Sequence, residues 1–195
     1  MIPPSVSGNM TRVITNPDDY YYRRLYVDAA NAISTARSLP GVNLEMIATS
    51  GASQGGALSL AASALDTIRA SRENAPVADT IADVPFMSHF ERAVGLTGSY
   101  PYWEIVEYLS VKQEDADAAF NTLSYFDSVN MARRIKGPGL FSVGLMDPIA
   151  PPSTVFAAYN HFAGDAEIIV YTFSGHVGGG PWQTRRETEW LQTLT

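Results

Sequence analysis

The chain has 195 residues, 46% of them hydrophobic and 17% charged, with a formal net charge of −7 and no cysteine. That length suits one domain able to bury a core, the composition is that of a globular protein, and disulfides, thiol catalysis and thiolate metal sites are excluded. The acidic balance argues against nucleic acid, no apolar run is long enough to span a bilayer, and "MIPPSVSGNM" lacks the basic start and apolar core of a signal sequence, so a cytoplasmic protein is expected.

The first predicted element is a long helix over "PDDYYYRRLYVDAANAISTARSL", with Pro17, Asp18 and Asp19 at its start and "PG" at its end. Its successive tyrosines cannot form one face and read as packing residues. Residues 45–50 read as a short buried strand and 54–70 as a helix of small residues. "PVADTIADVPF" offers another strand near 77–84, and residues 86–134 read as a mostly helical excursion broken at "TGSYP". "GLFSVGLM" (139–146) and "EIIVYTF" (167–173) are the clearest strands, apolar, β-branched and flanked by glycine or proline. "PPSTVFAAYNHFAG" between them is a helix led by prolines and closed by glycine, and a last helix runs through "WQTRRETEWLQTL". The basic islands "ARRIK" and "QTRRE" read as solvated helix surface. Strands alternating with helices predict a single α/β domain over 1–195, its mostly parallel sheet flanked by helices. In such sheets chemistry collects at the carboxyl ends of the strands.

"GASQG" (51–55) fits G-x-S-x-G, between a strand and a helix where that motif has meaning. A sharp bend there strains Ser53, and side chains at Gly51 or Gly55 are expected to collide with the crossing backbone. The Ser53 hydroxyl then projects at a helix N-terminus, where the backbone N–H of Gln54 can receive a developing oxyanion. The competing reading is a turn kept small by close packing, with the serine as a cap. A serine nucleophile needs a base. His161 falls inside the helix "VFAAYNHFAG", and His89, which precedes the best acid, reads as a core or surface residue. His176, in "FSGHVGGG", directly follows the last strand in a loop that can bend toward the serine. Asp147, in "SVGLMDPIAPPS", follows the strand before it. A turn former or cap is the ordinary role for such an aspartate, and the order Ser…Asp…His is what favours it as the orienting acid. Asp83, after "TIAD", is the competing acid and reads as structural. No phosphate-cradling glycine loop and no metal-spaced histidine pair is found.

Together "YYYRRLYVDA", "GASQGG", "ADVPFMSHF", "TLSYFDSVNMA", "LFSVGLMDPIAPPSTVFAAYN" and "GHVGGG" resemble segments of the cephalosporin-C deacetylase and acetyl xylan esterase family of α/β-hydrolases, across essentially the whole chain. The resemblance implies a partial α/β-hydrolase fold, with Ser53 as nucleophile, Asp147 as orienting acid and His176 as base. It implies removal of acetyl groups from xylo-oligosaccharides, small esters or cephalosporin C, without metal or cofactor, by a homo-oligomer, commonly a hexamer. Three positions depart from the family's pattern: Ala52 stands for glycine, Ala150 for cysteine as a packing exchange, and Val177 for the glutamate after the histidine. The family also places several strands, an "RGQG" stretch and a tyrosine-bearing loop before the segment that opens this chain. On that resemblance the chain is expected to be the C-terminal part of a longer esterase. It would lack a second oxyanion donor and leave the strand at 45–50 without a neighbour. A partner-dependent, non-catalytic fragment and a related peptidase or lactone hydrolase are the alternative functions.

Overall fold

The computed structural model describes residues 8–70 and 76–194; residues 1–7 of the stretch read for a signal sequence lie outside that range. Four parallel strands, β1 (Ala48–Ala52), β2 (Asp79–Asp83), β3 (Gly139–Gly144) and β4 (Ala166–Tyr171), pair in the order β1-β2-β3-β4. The two central strands are buried at every residue, as strands covered on both faces must be. The first strand departs from expectation. It runs over 48–52 rather than 45–50, carrying the ladder into the serine motif, and it is half-exposed rather than buried. The reason is its place at the edge, where among the described residues it pairs with β2 alone. β3 and β4 also stop two residues before their predicted ends, because Leu145 and Met146 already turn toward the loop after β4, bonded to Tyr171 and Ser174 carbonyls.

Helix α1 (Tyr21–Ser38) starts four residues later than Pro17 and the two aspartates suggest. Asn16 organises those residues into a turn instead, accepting Asp18 N–H at 3.0 Å and donating to Asp19 Oδ2 at 2.8 Å. Tyr22, Tyr26, Ala30 and Ile33 form its buried stripe, and Tyr20 joins them in the core. α2 (Gln54–Ala70) buries Leu60 together with Ala57, Ala61 and Ala64, small residues that let it lie close to the sheet. Arg37 reaches from α1 to the buried Asp66 of α2 at 2.9 Å, and Asp66 also accepts Val77 N–H, fixing the approach to β2.

Residues 86–134 carry α3 (Phe90–Leu96), α4 (Tyr102–Val111), a 3-10 turn (Gln113–Asp115), α5 (Ala116–Ser124) and α6 (Ser128–Ala132). One buried carboxylate starts two of these helices: Asp127 accepts N–H groups from Val129 at the head of α6, and from His89 and Phe90 at the head of α3. The Thr97 hydroxyl donates to the carbonyl of Pro148, binding this helical layer to the loop after β3. α7 (Pro152–Asn160) joins β3 to β4, and α8 (Pro181–Leu191) follows β4, ending in a 3-10 turn (Gln192–Leu194). Among the described residues no helix is long and apolar enough to cross a membrane.

Candidate active site

The bend from β1 into α2 holds Ser53 at φ +55°, the left-handed region that residues with a Cβ avoid. Three main-chain hydrogen bonds keep it there. Ser53 N–H donates to the Asp83 carbonyl at 2.8 Å, while the Ser53 carbonyl accepts from Ala57 at 3.1 Å and Phe86 at 3.0 Å. The expected crowding is right at Gly51, where a Cβ would lie 2.4 Å from the Gly55 backbone, and wrong at Gly55, where it would meet nothing within 4 Å. The second tight position is Gly56, whose Cβ would come 3.0 Å from the Asp83 carbonyl. Gly56 faces β2, whereas Gly55 faces the groove beside the β1 edge. Gln54 opens α2, so its N–H lies in the first turn, where no intrahelical acceptor exists.

Asp147 closes a tight turn after β3, its N–H donating to the Gly144 carbonyl at 3.2 Å. Its carboxylate does two jobs. Oδ1 accepts the N–H groups of Ile149 and Ala150 at 2.8 and 3.0 Å, which leaves Oδ2, 2.8 Å from His176 Nδ1. His176 Nε2 lies 2.7 Å from Ser53 Oγ. Asp147 is 5% exposed, so its charge works in a partly desolvated setting. A carboxylate beside Nδ1 requires the proton on that nitrogen, which leaves Nε2 free to accept the serine proton. The three side chains predicted from sequence thus share one hydrogen-bonded chain, each just past the end of a parallel strand. That arrangement can raise a serine alkoxide against an electrophile and return the proton to a leaving group.

The remaining predicted groups are engaged elsewhere. His161 sits just past α7 rather than inside it, exposed, with Nδ1 2.8 Å from the Ala157 carbonyl. His89 opens α3 at φ +48° with its ring exposed. Asp83 is turned to Gln183 of α8, whose Nε2 donates to Oδ1 at 2.8 Å. Burial, followed by the facing carboxyl of Glu187, holds Asp83 well above the usual carboxylate range. Ala150 is buried with Val143 and Val155, Ala52 is exposed, and Val177 points outward at 75% exposure. Sequence reasoning missed Gln183 and Tyr171, which lie around the base of the His176 loop; a glutamine in the first turn of a polar helix carries no signal of that contact.

A family model described as acetyl xylan esterase (AXE1) matches residues 2–194. The acetyl esterase Axe7A of Xylanibacter ruminicola is 30% identical over 188 residues, which make 96% of this chain and 39% of that protein. Among solved structures, the acetyl xylan esterase from Paenibacillus sp. R4 superimposes with a TM-score of 0.90 at 36% identity, over 99% of this chain and 60% of that one. Acetyl xylan esterase 1 from Thermoanaerobacterium sp. does so with a TM-score of 0.85 at 30% identity, over 100% and 61%. An acylaminoacyl peptidase of Pyrococcus horikoshii shares the fold alone, with a TM-score of 0.64 at 13% identity. The parallel sheet flanked by helices is therefore part of an α/β-hydrolase fold. The chain spans about two fifths of the curated relative and three fifths of the two esterase structures.

Proposed function

This chain belongs to the acetyl xylan esterase family, and from that premise we propose that it is a serine esterase releasing acetate from acetylated xylo-oligosaccharides. The observation that carries the proposal is the 2.7 Å approach of His176 Nε2 to Ser53 Oγ, with Nδ1 held by Asp147 at 2.8 Å. His176 takes the Ser53 proton as Oγ bonds to the acetyl carbon, and the oxyanion rests on the Gln54 N–H. The imidazolium, stabilised by Asp147, then protonates the departing sugar oxygen as its bond to the acetyl carbon breaks. Water, losing a proton to His176, attacks the acetyl-enzyme, and acetate leaves as Ser53 recovers its proton. Other small acetyl esters and cephalosporin C extend the proposed substrates by resemblance, as does assembly into a homo-oligomer, commonly a hexamer.

A second reading, in which the chain turns over only with further polypeptide against β1, is favoured by the half-exposed β1 edge. An apolar groove lies beside that edge, lined by Ala29, Ile33, Ile47, Leu58 and Ala62. Loss of one oxyanion donor typically lowers turnover about 10²–10³-fold, so a donor supplied from that side would matter. Hydrolysis of p-nitrophenyl acetate by the protein and by Ser53→Ala tests both readings. The esterase reading expects activity that Ser53→Ala reduces to background. Equal rates above background would overturn Ser53 as nucleophile, and background rates in both would select the partner-dependent reading. Acetyl esters should outrun longer acyl esters and peptides; the reverse order would point to a peptidase.

A further inference from the structure

The loop carrying His176, residues 172–180, leaves β4 after Tyr171 and enters α8 at Pro181. Its two ends are joined. Tyr171 OH donates to Gln183 Oε1 at 2.9 Å, and the Gln183 amide, on a side chain only 2% exposed, donates to Asp83 Oδ1 at 2.8 Å. Asp83 is the last residue of β2, and its main-chain carbonyl accepts the N–H of Ser53 at 2.8 Å. One residue therefore holds the bend that carries the serine through its carbonyl, and the neck of the histidine loop through its carboxyl. The loop is also pressed onto this support. A Cβ at Gly179, where φ is +92°, would stand 2.2 Å from the Tyr171 ring, and one at Gly178 would stand 2.7 Å from Val84 Cγ1. The Tyr171 ring is the floor of the loop, and its hydroxyl closes the neck.

We propose that the buried Asp83 and Gln183, with the half-buried Tyr171, form a clasp that positions His176 against Ser53. The role rests on the reading of Ser53 and His176 as nucleophile and base, and none of the three clasp residues touches the reacting atoms. The electrostatics agree with the geometry. Burial pushes the Asp83 carboxyl up and the facing Glu187 adds to the rise. The Gln183 amide opposes it, and the Ser142 hydroxyl, also opposing, lies alongside without a well-directed hydrogen bond. Tyr171 is raised by burial first and then by Asp83, with Arg186 opposing and Glu187 adding. A neutral acid at Asp83 keeps the acceptor that Gln183 needs without burying a bare charge. Asparagine supplies the same Oδ1, and alanine does not.

The experiment compares Asp83→Ala, Asp83→Asn, Gln183→Ala, Gln183→Met and Tyr171→Phe with the parent protein. It measures kcat, KM and the pH profile of kcat/KM on p-nitrophenyl acetate, together with the far-downfield NMR resonance of the His176 Nδ1 proton. Displacing a reacting group by about 1 Å can cost roughly 10²-fold. Asp83→Ala and Gln183→Ala should therefore lower kcat by roughly 10–10²-fold with KM little changed, shift the pH profile, and move or broaden the His176 resonance. Asp83→Asn should recover most of the kcat. Should the alanine variants fail to fold, Gln183→Met and Tyr171→Phe, which keep side-chain volume, carry the same expectations. Folded variants with parental kcat, pH profile and resonance would overturn the clasp. Activity that persists in Ser53→Ala would instead sink the reading of Ser53, while the His176 resonance still reports on the clasp.

Discussion

Ser53 sits in a backbone conformation that costs of order 1–3 kcal/mol, so its neighbours must hold it there, and they do so unequally. Gly51 cannot accept a methyl group, because the Gly55 backbone already occupies that space; Gly56 is tight against β2, and Gly55 is open. Alanine at 51 should therefore unfold the bend or lower Tm most, alanine at 56 less. Alanine at 55 should hold or raise Tm, since it replaces glycine in the first turn of α2. Thermal melts of the three variants should rank in that order, and a severe loss from Gly55→Ala would contradict the bend described. Asp147 invites a sharper test, because its two oxygens are separable. In Asp147→Asn the amide oxygen can keep the N–H groups of Ile149 and Ala150, so the turn survives, while the NH2 faces Nδ1 and forces the wrong tautomer on His176. Turnover should fall by about 10⁴ with Tm almost unchanged. Near-parental turnover would move the orienting role elsewhere.

Helix α8 is fastened to β2 at two points four residues apart on the strand and seven apart on the helix, spacings that put each pair on one face. Gln183 meets Asp83, and Trp190 Nε1 donates to Asp79 Oδ2 at 2.7 Å. Burial pushes the Asp79 carboxyl from 3.8 to about 6, against the opposing N–H donors of Trp190 and Thr80. The fold thus favours the neutral acid. That stability is complete below about pH 4 and is lost as pH rises through about 6. Thermal melts from pH 4 to 8 should show the parent losing Tm relative to Asp79→Asn across that window, and parallel curves would refute the assignment. None of this fastening is legible in the sequence, because its partners lie 100 and 111 residues apart and follow no local pattern. What is legible obeys short-range rules. β3 and β4 stand out because they are apolar, β-branched runs flanked by glycine or proline, and Ser53, Asp147 and His176 because each follows a strand. The start of α1 is misread because Pro17, Asp18 and Asp19 mimic a helix start while Asn16 turns them into a separate bend. The burial of β1 is overestimated because an edge is a property of the sheet, not of the sequence "ATSGA".

The whole molecule draws its serine and its histidine from the two edge strands of one sheet, Ser53 from the bend after β1 and His176 from the loop after β4, and brings them together across the ends of the two buried strands between. The distance from His176 Nε2 to Ser53 Oγ is therefore only as constant as the less stable edge. Among the described residues β1 and β4 each pair on one side only, and the free side of β1, the strand that leads into Ser53, opens on the groove lined by Ala29, Ile33, Ile47 and Leu58. Local opening follows missing pairing and thin apolar cover, so amide exchange should be slowest over 79–83 and 139–144 and clearly faster over 48–52. Equal protection of 48–52 would mean that another surface already pairs with β1. Because Ser53 is continuous with that strand, the same opening that releases its amides carries the hydroxyl away from the base. Any polypeptide that covers the β1 groove should slow exchange at 48–52 and raise kcat together. A rise in protection with no change in kcat would show that the bend is held by its bonds to Asp83, Ala57 and Phe86, independent of the strand that leads into it.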